Sequence, residues 1–388
     1  MATSETTGTM ERVLRLMSEK GASDVYLSAN SPILIRINGQ CVPINSQLLP
    51  FDAPRNLLAE IVPPERIKEL EEENELNMAV GLAGVGRFRI SAMRQRGSYA
   101  AVIRFIKMDI PALSTLCVPP ILADLIMEKR GLILMVGATG AGKSTTLASM
   151  LDHRNENASG HILAIEDPVE FLFKNKRSVV NQREVGSDTE SIHVALKNAL
   201  RQAPDVILIG EIRDRETMSA AIAYAQSGHL CLATLHGNNS YHALSRILSF
   251  YPVEVRQTML GDLAAATKAI VSQRLIRTIT GGRVPAMEVL LNSKLISEMI
   301  EKGDFSGVKE AMENSMADGS QTFEQDIARL IIDEIVDRKE GLANADSPTN
   351  LMWRLQNDFS SRDKAQEAAE EPEDEQASFT EITLDVNH

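Results

Sequence analysis

Aromatic residues are scarce in this chain of 388 residues, at 4% with a single tryptophan. That scarcity argues against a carbohydrate-binding face or a stacking platform for single-stranded nucleic acid. Cysteine is almost missing: Cys41, Cys117 and Cys231 lie far apart and form no CxxC pair. No zinc knuckle or disulfide framework is implied, and a reducing cytoplasm fits. Positive charge is outweighed, with 40 Lys and Arg against 53 Asp and Glu, a net of -13. An acidic balance opposes the phosphate attraction that dominates nucleic-acid binding, so no nucleic-acid partner is expected. Long apolar runs are also lacking. The strongest, ILAIE, VILIG and LILMVG, fall far short of the ~20 residues that span a bilayer. The opening MATSETTGTM has no basic region and no apolar core, so no signal peptide is expected. Any membrane contact would be peripheral, made from the cytoplasmic side.

Hydrophobic content, at 44%, is ordinary for a globular chain, and the length allows two or more domains. Residues 1–9 read as a flexible N-terminus. Residues 10–106 read as one small α/β unit. ERVLRLMSEKG repeats apolar residues at helical spacing and ends at Gly21, a C-cap residue. DVYLSAN and SPILIRINGQCVPI alternate like strands, with Asn38-Gly39 as a hairpin signal. PPERIKELEEEN predicts a second helix starting near Pro64, and GVGRFRISAM and SYAAVIRFIK predict two more strands. Residues 107–120 have prolines at both ends and no periodicity, the mark of a linker.

From Ile121 helix and strand patterns alternate: LILMVG, KSTTLASMLDHRNEN, HILAIE, SIHVALKNALRQ, VILIG, CLATLH and PAMEVLL. That order predicts a parallel sheet covered on both faces, with a mainly helical part after about Gly303, all within residues 121–358. Residues 359–388 read as an acidic, disordered tail. From Arg362 onward there are nine acids and two bases, a net of -7, which leaves -6 for the rest of the chain. Within the tail, ASFTEITLDV is either a short binding segment or plain tail.

GATGAGKS, from Gly137 to Ser144, matches the phosphate-loop pattern G-x4-G-K-[ST]. An apolar strand precedes it and a helix follows, as the motif requires. Gly137, Gly140 and Gly142 let backbone N–H groups curl around phosphate oxygens, and the helix starting at Lys143 points its positive end at the same anion. Lys143 is placed to reach the β- and γ-phosphates, and Ser144 to coordinate magnesium. A phosphate loop alone only binds, however. Two acids follow apolar strands downstream, Glu166 after HILAI and Glu211 after VILIG. In a parallel sheet both stand at the carboxyl edge, where one can hold the magnesium shell and the other orient the attacking water. The alternative is that each caps a strand end or makes a surface ion pair. His236 follows a third strand, where it can hydrogen-bond the γ-phosphate, and His229 lies seven residues earlier. A basic run without acids spans Arg87, Arg89, Arg94, Arg96, Arg104 and Lys107. It protects an edge strand, or it supplies an arginine finger to a nucleotide in the next subunit.

These residues together resemble the type IV pilus retraction ATPases, the PilT/PilU branch of the secretion-type ring ATPases, from about Met10 to Arg354. The carrying segments are GASDVYLSANSPILIRINGQ, GRFRISAM, GATGAGKSTTLASM, ILAIEDPVEF, NQREVGSDT, ALKNALRQAPDVILIGEIRDRETM, GHLCLATLHGNN and SQRL. The resemblance implies a PAS-like N-terminal α/β domain, a RecA-like P-loop NTPase domain and a ring of six chains. It implies ATP and Mg2+, held by Gly137, Thr139, Gly140, Ala141, Gly142, Lys143, Ser144 and Thr145, with Ser144 and Glu211 toward the metal. It places the family's catalytic glutamate on Glu166, its Walker B glutamate on Glu211, and its His-box histidines on His229 and His236. Arginines that approach the nucleotide fall on Arg87, Arg89 and Arg104; a one-residue slip at 94–98 leaves Arg94 and Arg96 out.

The implied function is ATP-driven retraction, in which pilin leaves the fibre at an inner-membrane platform protein on the cytoplasmic face. Assembly ATPases of the superfamily have a longer N-terminus and a four-cysteine zinc site, and this sequence has neither. Where retraction motors carry a helix close to AIRNLIRE, this chain has KLISEMIEK, with Ser297 and Glu301 in place of arginines. That departure weighs against stand-alone retraction, and ALKNALRQAPDVILIGEIRDRETM and GHLCLATLHGNN, with the acidic tail, resemble the PilU branch, which works beside a principal retraction ATPase. The competing expectations are a non-hydrolysing ATP-binding scaffold, an assembly ATPase, a small-molecule kinase and a DNA-translocating ring.

Overall fold

A computed structural model describes residues 8–37, 39–106, 109–313 and 318–357. The expectations for residues 1–7, Asn38, Lys107 and the acidic tail lie outside the described residues.

Strands β1 (Asp24–Ser28), β2 (Leu34–Ile37), β3 (Gln40–Pro43), β4 (Glu75–Leu82), β5 (Gly86–Gln95) and β6 (Ser98–Ile106) build one antiparallel sheet, in the order β3-β2-β1-β6-β5-β4. Alternation along β5 decides its faces. Phe88 and Ile90 point to one side, Arg87 and Arg89 to the other. The apolar side is covered by helices Thr9–Glu19, Ala53–Leu58 and Pro64–Glu73, which bring Met10, Leu14, Leu58 and Leu70 onto Phe88, Ile90 and Ile103. The first helix stops where its glycine predicts. Gly21 turns left-handed (φ +63), and the Gly21 and Ala22 N–H groups return to the Ser18 and Met17 carbonyls. Strand β4 was not expected. It leaves the preceding helix with only Asn74 (φ +64) between them, so no cluster of turn residues marks its start.

Strands β7 (Gly131–Val136), β8 (Gly160–Glu166), β9 (Ser178–Glu184), β10 (Val206–Ile209), β11 (Leu230–Leu235), β12 (Thr267–Arg277) and β13 (Arg283–Leu291) build the second sheet, in the order β13-β12-β7-β11-β10-β8-β9. Strands β7, β10 and β11 are buried on both faces, which is why they read as unbroken apolar runs. Helices Ile121–Met127 and Lys143–Asn157 cover one face, packing Leu122, Ile126, Leu147 and Met150. Helices Ile192–Ala199, Arg215–Gln226, Ser240–Ser249 and Arg256–Ala266 cover the other. The expected all-parallel sheet is corrected at one edge: β13 runs antiparallel to β12. Only residues 278–282 join them, and a parallel crossover needs a dozen or more. Helices Phe323–Ile332 and Arg338–Asn344 follow, and the first packs Phe323 and Ile327 onto Ile276 and Ala286.

Candidate nucleotide site

Strands β7, β11, β10 and β8 are consecutive neighbours and run parallel. Their carboxyl ends therefore open onto one edge. The loop 137–142 leaves β7, His236 follows β11, Glu211 stands just after β10, and Glu166 ends β8. Residues separated by up to 99 positions in sequence come to one edge because each stands at or just beyond the carboxyl end of a parallel strand.

The phosphate loop needs its last glycine. Gly142 adopts φ +86, and a Cβ there would sit 2.7 Å from Gln273 Nε2. Gly142 is also the N-cap of helix Lys143–Asn157, and no side chain caps it, so the first N–H groups of the helix face the loop. The Lys143 ammonium donates to the Gly137 and Ala138 carbonyls at 2.8 and 2.9 Å. Burial lowers its pKa, and the Glu211 charge opposes that shift. Ala141 is buried, Thr145 half-buried, and Thr139 and Ser144 exposed. A cleft of about 320 Å³ beside the loop is lined by Gly137, Thr139, Gly140, Asn238, Arg274 and Arg283, among others.

Glu211 Oε1 lies 2.9 Å from His236 Nε2, and Oε2 accepts from Arg213 Nε at 2.6 Å. Arg213 also approaches Asp167 at 3.5 Å. Glu166 shares a small pocket with Ser144, Phe171, Phe173, Gly210 and Thr234. Burial pushes its carboxyl up to about 7, against hydrogen bonds from Gln182 and the Glu170 backbone, and the Glu170 and Glu184 charges add to the rise. An acid in such surroundings changes charge near neutral pH, which suits proton work at an active site.

The remaining predicted residues lie elsewhere in the chain. His229 precedes β11, at the opposite sheet edge from His236, roughly 20 Å away at ~3.3 Å per strand residue. Its Nδ1 pairs with Ser227 Oγ at 3.0 Å and the Tyr224 carbonyl. Arg87 reaches across to the second sheet and pairs with buried Glu184 of its own chain at 2.6 Å. Arg104 pairs with buried Asp24 at 2.8 Å. Arg89 stands opposite Arg104 in the register. Neither the cleft beside the loop nor the neighbouring one at His236 and His242 is lined by Arg87, Arg89 or Arg104.

Four site residues escaped sequence reasoning. Gln182 and Glu184 sit on β9, whose polar SVVNQRE carries no strand signal beyond its first residues. Gln273, on β12, accepts from Thr146 Oγ1 and donates to the Ala141 carbonyl, both at 2.8 Å. Arg213 follows Glu211 by two positions. None belongs to a pattern with its own chemistry; only the sheet shows what each touches.

The family described as "Type II/IV secretion system protein" matches residues 9–341. A type IV pilus ATPase, PilU of Pseudomonas aeruginosa, is 45% identical over 342 residues, 88% of this chain and 90% of that protein. The type IV pilus retraction ATPase PilT of the same organism is 35% identical and covers 87% and 98%. A crystal structure of the pilus retraction motor PilT with bound ADP superposes with a TM-score of 0.82 at 37% identity, over 88% of this chain and 98% of that one. The mixed α/β architecture with a RecA-like ATPase sheet agrees with that match.

Proposed function

The chain belongs to the Type II/IV secretion system protein family, in its PilT/PilU group, and on that premise we propose an ATP-hydrolysing ring motor that powers or assists type IV pilus retraction. The observation that carries this reading is the shared edge of β7, β11, β10 and β8, with the phosphate loop, His236, Glu211 and Glu166 side by side. The loop amides and Lys143 bind the phosphates. Glu166 orients the water that attacks the γ-phosphate, and His236, held by Glu211, reads whether that phosphate is present.

Among the described residues no three His, Cys, Asp or Glu side chains gather as a metal cluster. Ser144, second residue of the helix after the phosphate loop, would offer its Oγ to Mg2+. Glu211 would stand toward the cation beside it, an oxygen set that suits Mg2+. Bound there, Mg2+ would neutralise charge on the β- and γ-oxygens.

We assign residues 10–106 as a PAS-like domain, 107–120 as linker and 121–358 as the ATPase domain. Six chains form the ring, and Arg89 and Arg104, with His229, belong to surfaces that meet a neighbouring subunit. The ring acts at the cytoplasmic face of the inner membrane, on the pilus platform protein, so that pilin leaves the fibre. The accessory role beside a principal motor is favoured by helix Lys294–Lys302, which exposes Glu298 and Glu301.

The deciding experiment is pilus number and surface motility in a strain lacking the protein, restored with wild type or Glu166→Gln. Excess pili and lost motility, rescued only by wild type, are expected of a motor that drives retraction. Rescue by Glu166→Gln would reduce the protein to a scaffold. Near-normal pili in the deletion strain would leave it accessory.

A further inference from the structure

Glu166 does not stand alone at its strand end. In the β8–β9 register Ala164 faces Gln182 and Glu166 faces Glu184, so Gln182 and Glu184 share the face that borders the loop after Glu166. The Gln182 side-chain amide makes three hydrogen bonds. Its Oε1 accepts from the Phe173 backbone N–H at 3.0 Å. Its Nε2 donates to the Phe171 carbonyl at 2.7 Å and to Glu166 Oε1 at 3.1 Å.

This pattern resolves which end of the amide is which. Rotated by half a turn, the amide would set its oxygen against a carbonyl and a carboxylate, and its NH2 against an N–H. All three bonds would be lost. The two backbone groups therefore pin the amide, and its remaining proton is aimed at Glu166. Phe171 and Phe173 also line the pocket that holds Glu166 and Ser144. One side chain thus fixes both the carboxylate and the backbone of its two aromatic neighbours.

We propose that Gln182 is a positioning residue for hydrolysis, acting through Glu166. Its donor selects the carboxylate rotamer that presents the attacking water in line, while nucleotide binding is left to the phosphate loop. The inference rests on the reading of Glu166 as the water-orienting acid.

The test is steady-state MgATP hydrolysis by the full-length ring carrying Gln182→Met, which keeps length but removes both donor and acceptor. A small misplacement at a reacting centre costs about 10- to 100-fold, and that fall is expected in kcat. KM, and the Kd for a non-hydrolysable ATP analogue, should stay within about twofold, since uniform binding is untouched. Unchanged kcat would overturn the inference, and so would a fall in kcat matched by an equal loss of analogue affinity. Gln182→Met added to Glu166→Gln should leave the residual turnover of Glu166→Gln unchanged. A further loss would show that Gln182 acts elsewhere. If Glu166→Gln alone keeps wild-type turnover, the reading of Glu166 fails and the inference with it. If Glu166→Gln loses turnover while Gln182→Met does not, only the Gln182 assignment fails. Should Gln182→Met not fold, Gln182→Glu serves: it preserves volume and the acceptor for Phe173 but sets a second carboxylate against Glu166. A similar loss of kcat at pH 8 is expected, and wild-type turnover would overturn the assignment.

Discussion

At the residue scale the most informative group is Glu166, because burial pushes its carboxyl up to about 7 while the proposed chemistry requires the carboxylate. The kcat/KM for MgATP, which reports the free protein's groups, should therefore rise with pH through about 7, and a kcat/KM profile flat from pH 6 to 8 would contradict the role. Glu166→Gln should retain ATP binding and lose about 100-fold or more in kcat, the scale of a positioned acid–base group. Stability moves the opposite way. The folded pKa lies above the ordinary 4.5, so the native state holds the extra proton between those values. Stability then falls as pH rises across that window. Glu166→Gln should raise the denaturation midpoint more at pH 8 than at pH 5, which a pair of urea titrations would measure.

At the element scale β12 does more than extend the sheet. Its Gln273 is buried and bonds Thr146 of the helix and Ala141 of the loop. The next residue, Arg274, faces the other way and bonds the Asn238 and Asn344 carbonyls. One strand therefore braces the phosphate loop on one face and the segment after His236 on the other. Gln273→Ala strands a buried hydroxyl and a buried carbonyl. It should cost about 1–3 kcal/mol in unfolding free energy and weaken ATP affinity. An unchanged ATP Kd would mean the loop holds its own shape. Gly142→Ala should be worse for binding, since its φ and the 2.7 Å approach to Gln273 both exclude a Cβ.

At the scale of the whole molecule the two sheets are joined by Arg87 and Glu184. Glu184 is 3% exposed and also accepts from the Val169 N–H at 3.0 Å, beside the Glu166 loop. Breaking a buried pair from one side leaves an uncompensated charge and costs about 3–5 kcal/mol. Arg87→Met should accordingly lower the thermal midpoint, and Arg87→Met combined with Glu184→Gln should recover part of the loss. No recovery would mean that Arg87 stabilises by other contacts. Removing everything after Ser361 should leave both ring size, read by mass photometry, and hydrolysis intact. Loss of either would give the tail a structural part.

Much of the fold was legible because strands buried on both faces must be continuous apolar runs, as LILMVG, VILIG and CLATL are, and because GATGAGKS allows one local geometry. The carboxyl-edge positions of Glu166, Glu211 and His236 follow from the same rule, since a polar residue ends each run. Strands β4, β9 and β12 were not legible: β4 lacks a turn at its start, β9 is an edge strand too polar to declare itself, and β12 leaves helix Arg256–Ala266 with no turn residue between them. The direction of β13 depended on the length of one connection. The sequence by itself therefore determined the phosphate loop, the mainly parallel sheet and the order of acids along its edge, all consequences of local geometry and burial. Only the tertiary structure decided that Arg87 pairs within its own chain, that Gln182 bonds Glu166, and that Gln273 bonds the phosphate loop and its helix. Those are contacts between residues far apart in sequence, and no local propensity encodes which polar side chain will meet which.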